Sequence, residues 1–212
     1  MLKAILWDND GVLVDTERLF FEANRALLAE LGATLTAQGF VDNYLLSSRG
    51  AWDLLGNPTD AQIAQWRAER NRRYVRLLAQ AGELAMPGMP ELIPRLAARL
   101  RMGVVTSAWR DHFDLIHARL PLRQHFEFVI SGEDCVESKP HPEPYLRGLA
   151  KLGLSADECV VVEDAPRGLA AARAAGLRCI VLRHPLLADQ PFDGALAVVD
   201  SAAELEDCLA GL

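Results

Sequence analysis

Six short runs of β-branched and other apolar residues, separated by helical patterns, restrict what this chain can fold into more than any other feature. They cover residues 3–8, 102–106, 128–131, 159–162, 179–182 and, more weakly, 197–199. A strand that is apolar at nearly every position has to be covered on both faces. That is the condition of a parallel sheet between helical layers, whereas a half-solvated antiparallel sheet alternates. From residue 102 onward the runs alternate with amphipathic stretches, clearest at 110–119, 144–152 and 167–175, the last closed by Gly176. The pattern predicts an α/β fold built on a doubly wound parallel sheet.

The rhythm breaks once. Far more chain separates the first two runs than a crossover helix needs, and it reads as helical. Residues 16–31 carry Leu19, Phe20, Ala23, Leu27 and Leu31 at helical spacing and stop at Gly32. Thr59-Asp60-Ala61-Gln62 has the form of a capping box, and the helix it opens turns Ile63, Trp66, Tyr74, Leu77 and Leu78 inward before Gly82. Pro87-Gly88 and Pro90 mark the return, with Pro94 predicting an early kink in the next helix. The expected organisation is a core of residues 1–15 and 87–212 with an all-helical domain, 16–86, inserted. The arginines at 67, 70, 72, 73 and 76, interleaved with Glu69, read as a solvated helix face.

Composition narrows the function classes. At 212 residues and 50% hydrophobic, the chain can bury a core and is not disordered. A net charge of −7 argues against nucleic acid or an anionic membrane surface as partner. No apolar run approaches the roughly 20 residues of a membrane span. The N-terminal stretch reaches Asp8 and Asp10 at once, without a signal peptide's apolar centre. Four scattered cysteines with no C-x-x-C pair read as reduced thiols of a cytoplasmic protein.

The chemistry gathers at four places, each at the end of a predicted parallel strand, where open α/β sheets bind ligands. The first is Asp8-Asn9-Asp10-Gly11. Two carboxylates around one point can divide labour, one as nucleophile and the other handling the leaving-group proton, and Gly11 lets the chain turn away sharply. A plain strand-end turn also uses Asp and Asn. Asp-x-Asp-Gly opens calcium loops too, but no acidic ladder ending in Glu follows. The second place is Thr106-Ser107, whose hydroxyls and local N–H groups before a helix can meet an anion or simply cap it. The third is Lys139, aimed by Pro140 and Pro142, a point charge suited to phosphate. The fourth is Glu163-Asp164, two acids closing an apolar strand, where a hard cation such as Mg²⁺ would remove the cost of burying them. Nucleophile, acid/base, cation site and anion donors are together what phosphoryl transfer requires. No P-loop pattern is present in the sequence.

In order and spacing these motifs resemble those of the haloacid dehalogenase (HAD) superfamily, most closely its phosphatases and phosphomutases with a helical cap after the first motif. The resemblance runs over nearly the whole chain, through Gly168 and Ala171-Ala172 to Gly176. It implies Asp8 as nucleophile, Asp10 as general acid/base, and Thr106 and Lys139 on the phosphate; Ser107, beside Thr106 at the strand end, is taken with them as a phosphate-binding candidate. It also implies Mg²⁺ held by Asp8, the Asp10 carbonyl and Asp164, with Glu163 as a further ligand or a group behind them. Asp10 is the second acid that true dehalogenases lack. In the inserted domain, Leu46-Ser47-Ser48-Arg49 resembles a segment whose arginine reaches a substrate phosphate in β-phosphoglucomutase-like members. Those mutases carry a histidine where this chain has Phe20, a departure from their pattern.

The expectation is a Mg²⁺-dependent phosphatase of small phosphorylated metabolites, sugar phosphates or phosphoglycolate-like, working through an aspartyl-phosphate. The inserted domain would close over the site, with Arg49, Trp52 and Tyr44 choosing the substrate. The partner is that metabolite, and the chain is expected as a monomer or weak homo-oligomer. Two rivals stand beside it: a sugar phosphomutase, and a non-catalytic binding protein on the same fold. His112, His117, His125 and His184 read as surface or satisfied core residues rather than ligands.

Overall fold

All six apolar runs form strands, and the strands join one parallel sheet. The computed structural model describes residues 1–47 and 49–212. Its strands are β1 (Ala4–Trp7), β2 (Arg101–Val105), β3 (Phe128–Ile130), β4 (Cys159–Glu163), β5 (Arg178–Leu182) and β6 (Ala197–Val199). Every residue of β1 and β4 is buried, as strands covered on both faces must be. The order is β3-β2-β1-β4-β5-β6. Trp7, the last residue of β1, sits opposite Val104 on one side and Val162 on the other. The direction of winding therefore reverses between β1 and β4, and the crevice outside their carboxyl ends is where such a sheet takes ligands.

The helices in chain order are α1 (Glu17–Glu30), α2 (Ala37–Phe40), α3 (Asp60–Gln80), α4 (Met89–Ala97), α5 (Arg110–His117), α6 (Glu143–Leu152), α7 (Pro166–Ala174) and α8 (Ala202–Ala210). The chain divides into two compact units, Met1–Asp15 with Leu84–Leu212, and Thr16–Glu83. The return to the core unit comes earlier than residue 87, the start read from the prolines. Asp15 N–H bonds to Leu84 O at 2.8 Å and Met86 N–H to Leu13 O at 2.9 Å, so the returning chain already pairs with the outgoing one. Pro94 sits inside α4, where it has no N–H for the carbonyl of Pro90.

Within the helical unit, α3 opens on the expected capping box: Thr59 Oγ1 accepts from Gln62 N–H, and Gln62 Oε1 accepts from Thr59 N–H at 2.9 Å. Phe20, Phe40, Tyr44 and Tyr74 form one aromatic cluster, with Phe40 stacked on Tyr44 at 5.3 Å. Leu31, the last of the helically spaced residues, caps α1 just past Glu30 and is exposed. The arginine series is not uniformly solvated. Arg72 and Arg73 pair with Glu69, and Arg73 reaches Glu30 as well. Arg70 instead lies 4.6 Å over the Phe20 ring, and burial pushes its guanidinium down to about 10.

Candidate active site

β1 delivers its two acids through a tight turn. Asp8 N–H still belongs to the sheet, bonding to Val162 O at 2.9 Å. The chain then folds back, with Leu13 N–H on Asn9 O at 2.8 Å and Gly11 N–H on Val14 O at 2.8 Å. Gly11 has φ +79°, and a side chain there would overlap the Asp164 carboxylate. The glycine is thus required twice, by its backbone and by the close approach of β4's acid.

Lys139 ties the site together. Its ammonium is 3% exposed and donates to Asp8 Oδ1 at 2.7 Å, Glu163 Oε1 at 2.7 Å and Val105 O at 2.8 Å. It does not come from a strand end, as expected, but from the loop between β3 and α6. From there it spans the ends of β2, β1 and β4. Burial alone would lower its proton affinity, yet the Asp8 and Glu163 carboxylates outweigh burial and hold it above the ordinary lysine value. Tyr145 on α6 donates its hydroxyl to the same Glu163 Oε1 at 2.5 Å. Burial, then the charges of Glu163 and Asp8, raise that phenol well above its ordinary range, so it stays a neutral donor. Glu163 Oε2 accepts Asp164 N–H at 3.3 Å. A side chain on Gly168 would fall on the Glu163 carboxylate, so α7 leaves the space that Glu163 fills.

One lysine does not balance these acids. Oxygens of Asp8, Glu163 and Asp164 all lie within 4.8 Å of one another. Burial first, and the Glu163 charge second, push the Asp8 carboxyl up to about 7 against the pull of Lys139. A tight, partly buried set of hard oxygen donors with excess negative charge fits a small divalent cation such as Mg²⁺.

Thr106, just past β2, is 3% exposed; its Oγ1 accepts Ala108 N–H at 2.9 Å and donates to Asp10 Oδ2 at 3.5 Å. Ser107 follows it, half-buried. The core unit therefore brings Asp8, Asp10, Thr106, Lys139, Glu163 and Asp164 together. Residues to which the sequence gave no role in the site join them: Tyr145, and Asn9 with its partner His117, whose Nε2 is 2.7 Å from Asn9 Oδ1. The other histidines read as expected. His112 and His125 are half-buried, and buried His184 accepts Leu186 N–H at Nδ1.

In the helical unit, Arg49 is exposed and Ser48 beside it lies outside the described residues. Tyr44 and Trp52, expected as substrate-choosing residues, are buried in that unit's own packing. Tyr44 Oη accepts Ala51 N–H at 3.2 Å, and Trp52 stacks on Trp66 at 6.0 Å.

A family model described as haloacid dehalogenase-like hydrolase matches residues 5–182. Protein CbbY of Cereibacter sphaeroides is 33% identical over 100% of this chain and 97% of its own length. Hexitol phosphatase B of Escherichia coli is 29% identical over 90% of the chain and 87% of its own. Among solved structures, a mutant CbbY from Rhodobacter sphaeroides in complex with xylulose-(1,5)-bisphosphate superposes with a TM-score of 0.84. It is 31% identical, and the match covers 97% of this chain and 96% of that one.

Proposed function

Because the chain belongs to the haloacid dehalogenase-like hydrolases, we propose that it is a phosphatase hydrolysing phosphoric monoesters of small metabolites, sugar phosphates first among them. The observation that carries this reading is the buried Asp8–Lys139–Glu163 cluster beside Asp164 at the point where the sheet reverses. A nucleophilic carboxylate, a fixed ammonium and a cation site share one crevice there. The relative seen with a sugar bisphosphate supports the substrate class.

The residues would work in two steps. An Asp8 oxygen attacks phosphorus and the ester P–O bond breaks. Protonated Asp10 gives its proton to the departing alkoxide, leaving an aspartyl-phosphate and an alcohol. Asp10, now a carboxylate, takes a proton from water. That water's oxygen attacks phosphorus, the P–O bond to Asp8 breaks, and inorganic phosphate leaves. Lys139 orients Asp8, and with Thr106 and Ser107 it offsets charge growing on the equatorial oxygens. Asp8, Asp164 and the Asp10 carbonyl would hold Mg²⁺, which supplies Lewis-acid polarisation of the phosphoryl oxygens and keeps Asp8 ionised. Glu163, with Lys139, Tyr145 and Asp164 N–H on its oxygens, acts from behind as the group that orients Lys139.

Phe20 disfavours the mutase reading, since its ring packs against Phe40, Tyr44 and Tyr74 and offers no hydrogen bond. The test is phosphate release from a panel of xylulose 1,5-bisphosphate, a hexitol 6-phosphate, phosphoglycolate and glucose 1-phosphate, in Mg²⁺ or in EDTA. Release that needs Mg²⁺ and is lost in Asp8→Asn is expected. Conversion of glucose 1-phosphate to glucose 6-phosphate without free phosphate would make the chain a mutase. Silence on every ester would favour a binding protein.

A further inference from the structure

Asn9 separates the two aspartates in sequence, and its side chain is completely buried. A strand-end turn has no need of a buried amide there. Its Nδ2 donates to Asp10 Oδ2 at 3.2 Å, and its Oδ1 lies 2.7 Å from His117 Nε2. Two donors, the Asn9 amide and the Thr106 hydroxyl, converge on Asp10 Oδ2, which accepts both when Asp10 is ionised and when Oδ1 carries the proton for the leaving group. The amide therefore turns its NH₂ toward Asp10 and its oxygen toward His117. The amide oxygen then needs a donor, and only a protonated Nε2 supplies one. His117 is therefore the Nε2–H tautomer, and Nδ1 is the bare nitrogen. In agreement, Nδ1 is buried with no hydrogen-bond partner among the described residues, a costly place for an N–H and a cheaper one for a lone pair.

The ring itself is held. His117 is the last residue of α5 and stacks on Phe113 at 4.1 Å with 24° between the planes. Burial, assisted by Arg123, pushes the imidazole down to about 4, so it is neutral at working pH and stays a single-tautomer donor. Thr106 Oγ1 lies 3.5 Å from the same Asp10 oxygen. Asp10 Oδ2 is thus held by an amide from β1's turn and a hydroxyl from β2's end.

We propose that Asn9 and His117 are positioning residues: His117 locks the Asn9 amide, and the amide fixes the Asp10 carboxyl in the orientation that proton transfer to the leaving group needs. The inference rests on the reading of Asp10 as general acid/base. A general acid works only within hydrogen-bond reach of the atom it protonates, and a carboxyl after a turn can otherwise rotate.

Two measurements test it. The first needs no activity: long-range ¹H–¹⁵N correlation spectra of the whole protein report the His117 tautomer. Nε2–H is expected, and an Nδ1–H or doubly protonated ring overturns the arrangement. The second compares kcat/KM for the best alkyl ester of the panel with p-nitrophenyl phosphate, whose leaving group departs without a proton. His117→Phe keeps a flat ring on Phe113 and removes the donor; Asn9→Leu removes the amide. Each should lose about 10–100-fold on the alkyl ester, the usual size of one hydrogen bond to a charged group, and much less on the aryl ester. His117→Gln, which can again donate to Asn9 Oδ1, should recover most of the loss. Equal losses on both esters, or none on the alkyl ester, would overturn the proposal in favour of packing. A wild-type protein inactive on every ester would defeat the phosphatase reading instead, and the tautomer would then decide the pair by itself.

Discussion

Without a cation the site should work against the fold, and Asp8→Asn should expose this. Burial and the Glu163 charge push the Asp8 carboxyl from 3.8 up to about 7. Between those values the folded protein binds a proton that the unfolded chain has already released. Stability therefore falls as pH rises through that window and stays low above it. If the whole shift acts on folding, ionised Asp8 costs up to about 4 kcal/mol. Because Lys139 and Glu163 relax with it, about 2–4 kcal/mol is the working range. An amide at this position keeps the shape of the carboxylate and stays neutral. Urea unfolding in EDTA should then find Asp8→Asn more stable than wild type by that amount at pH 8, with thermal melts about 4–16 °C apart, and equal to it near pH 4. Adding Mg²⁺ should narrow or reverse the gap. In the proposed site wild type alone would keep the full ligand set, and a ligand at 100 times its Kd adds about 2.7 kcal/mol. A variant no more stable than wild type at pH 8 in EDTA would refute the claim that this cluster is short of positive charge.

Gly11→Ala combines a φ of +79° with overlap onto the Asp164 carboxylate. It should cost about 1–3 kcal/mol of stability and raise the Mg²⁺ concentration for half-maximal phosphate release. Tyr145→Phe removes the hydroxyl from Glu163, and thermal melts should show a loss of about 1.5–3 kcal/mol; an unchanged melt would mean that Glu163 finds another donor. Arg49→Lys should lose far more kcat/KM on a sugar phosphate than on p-nitrophenyl phosphate, because lysine cannot reproduce a two-pronged grip; equal losses would point to folding.

Much of the core was legible because burial on both faces leaves its mark on every residue of a strand. That signal found all six strands, and the strand ends located Asp8, Asp10, Thr106, Glu163 and Asp164. Lys139 was legible as a charge but not as a position. It lies in a loop, and its reach to Asp8 spans 131 residues of sequence. The pairing of Asn9 with His117 was not legible at all. Their bond joins residues 108 apart, and neither residue breaks a local pattern: the asparagine suits a turn, and the histidine suits a helix end. Tyr44 and Trp52 misled in the opposite direction. They were expected to choose the substrate with Arg49, but packing against Phe40 and Trp66 within the helical unit accounts for the burial of both.

The bonds of Lys139 limit how it can meet phosphate. An ammonium has three N–H donors, and all three are taken, by Asp8, Glu163 and the Val105 carbonyl, at 2.7–2.8 Å. A phosphoryl oxygen must therefore share a donor or displace an acceptor. Val105 O belongs to the end of β2 and cannot move without the sheet, and Glu163 is 1% exposed and held by Tyr145. Asp8, with its side chain 13% exposed, is the partner that can give way. In the proposed mechanism it is also the group whose charge would be consumed when its oxygen bonds to phosphorus. The hydrogen bond that orients Asp8 in the resting site would then be the one released toward the phosphoryl group as that reaction proceeds. Lys139 would offset charge most strongly where the transition state places it, with Glu163 keeping it from following Asp8.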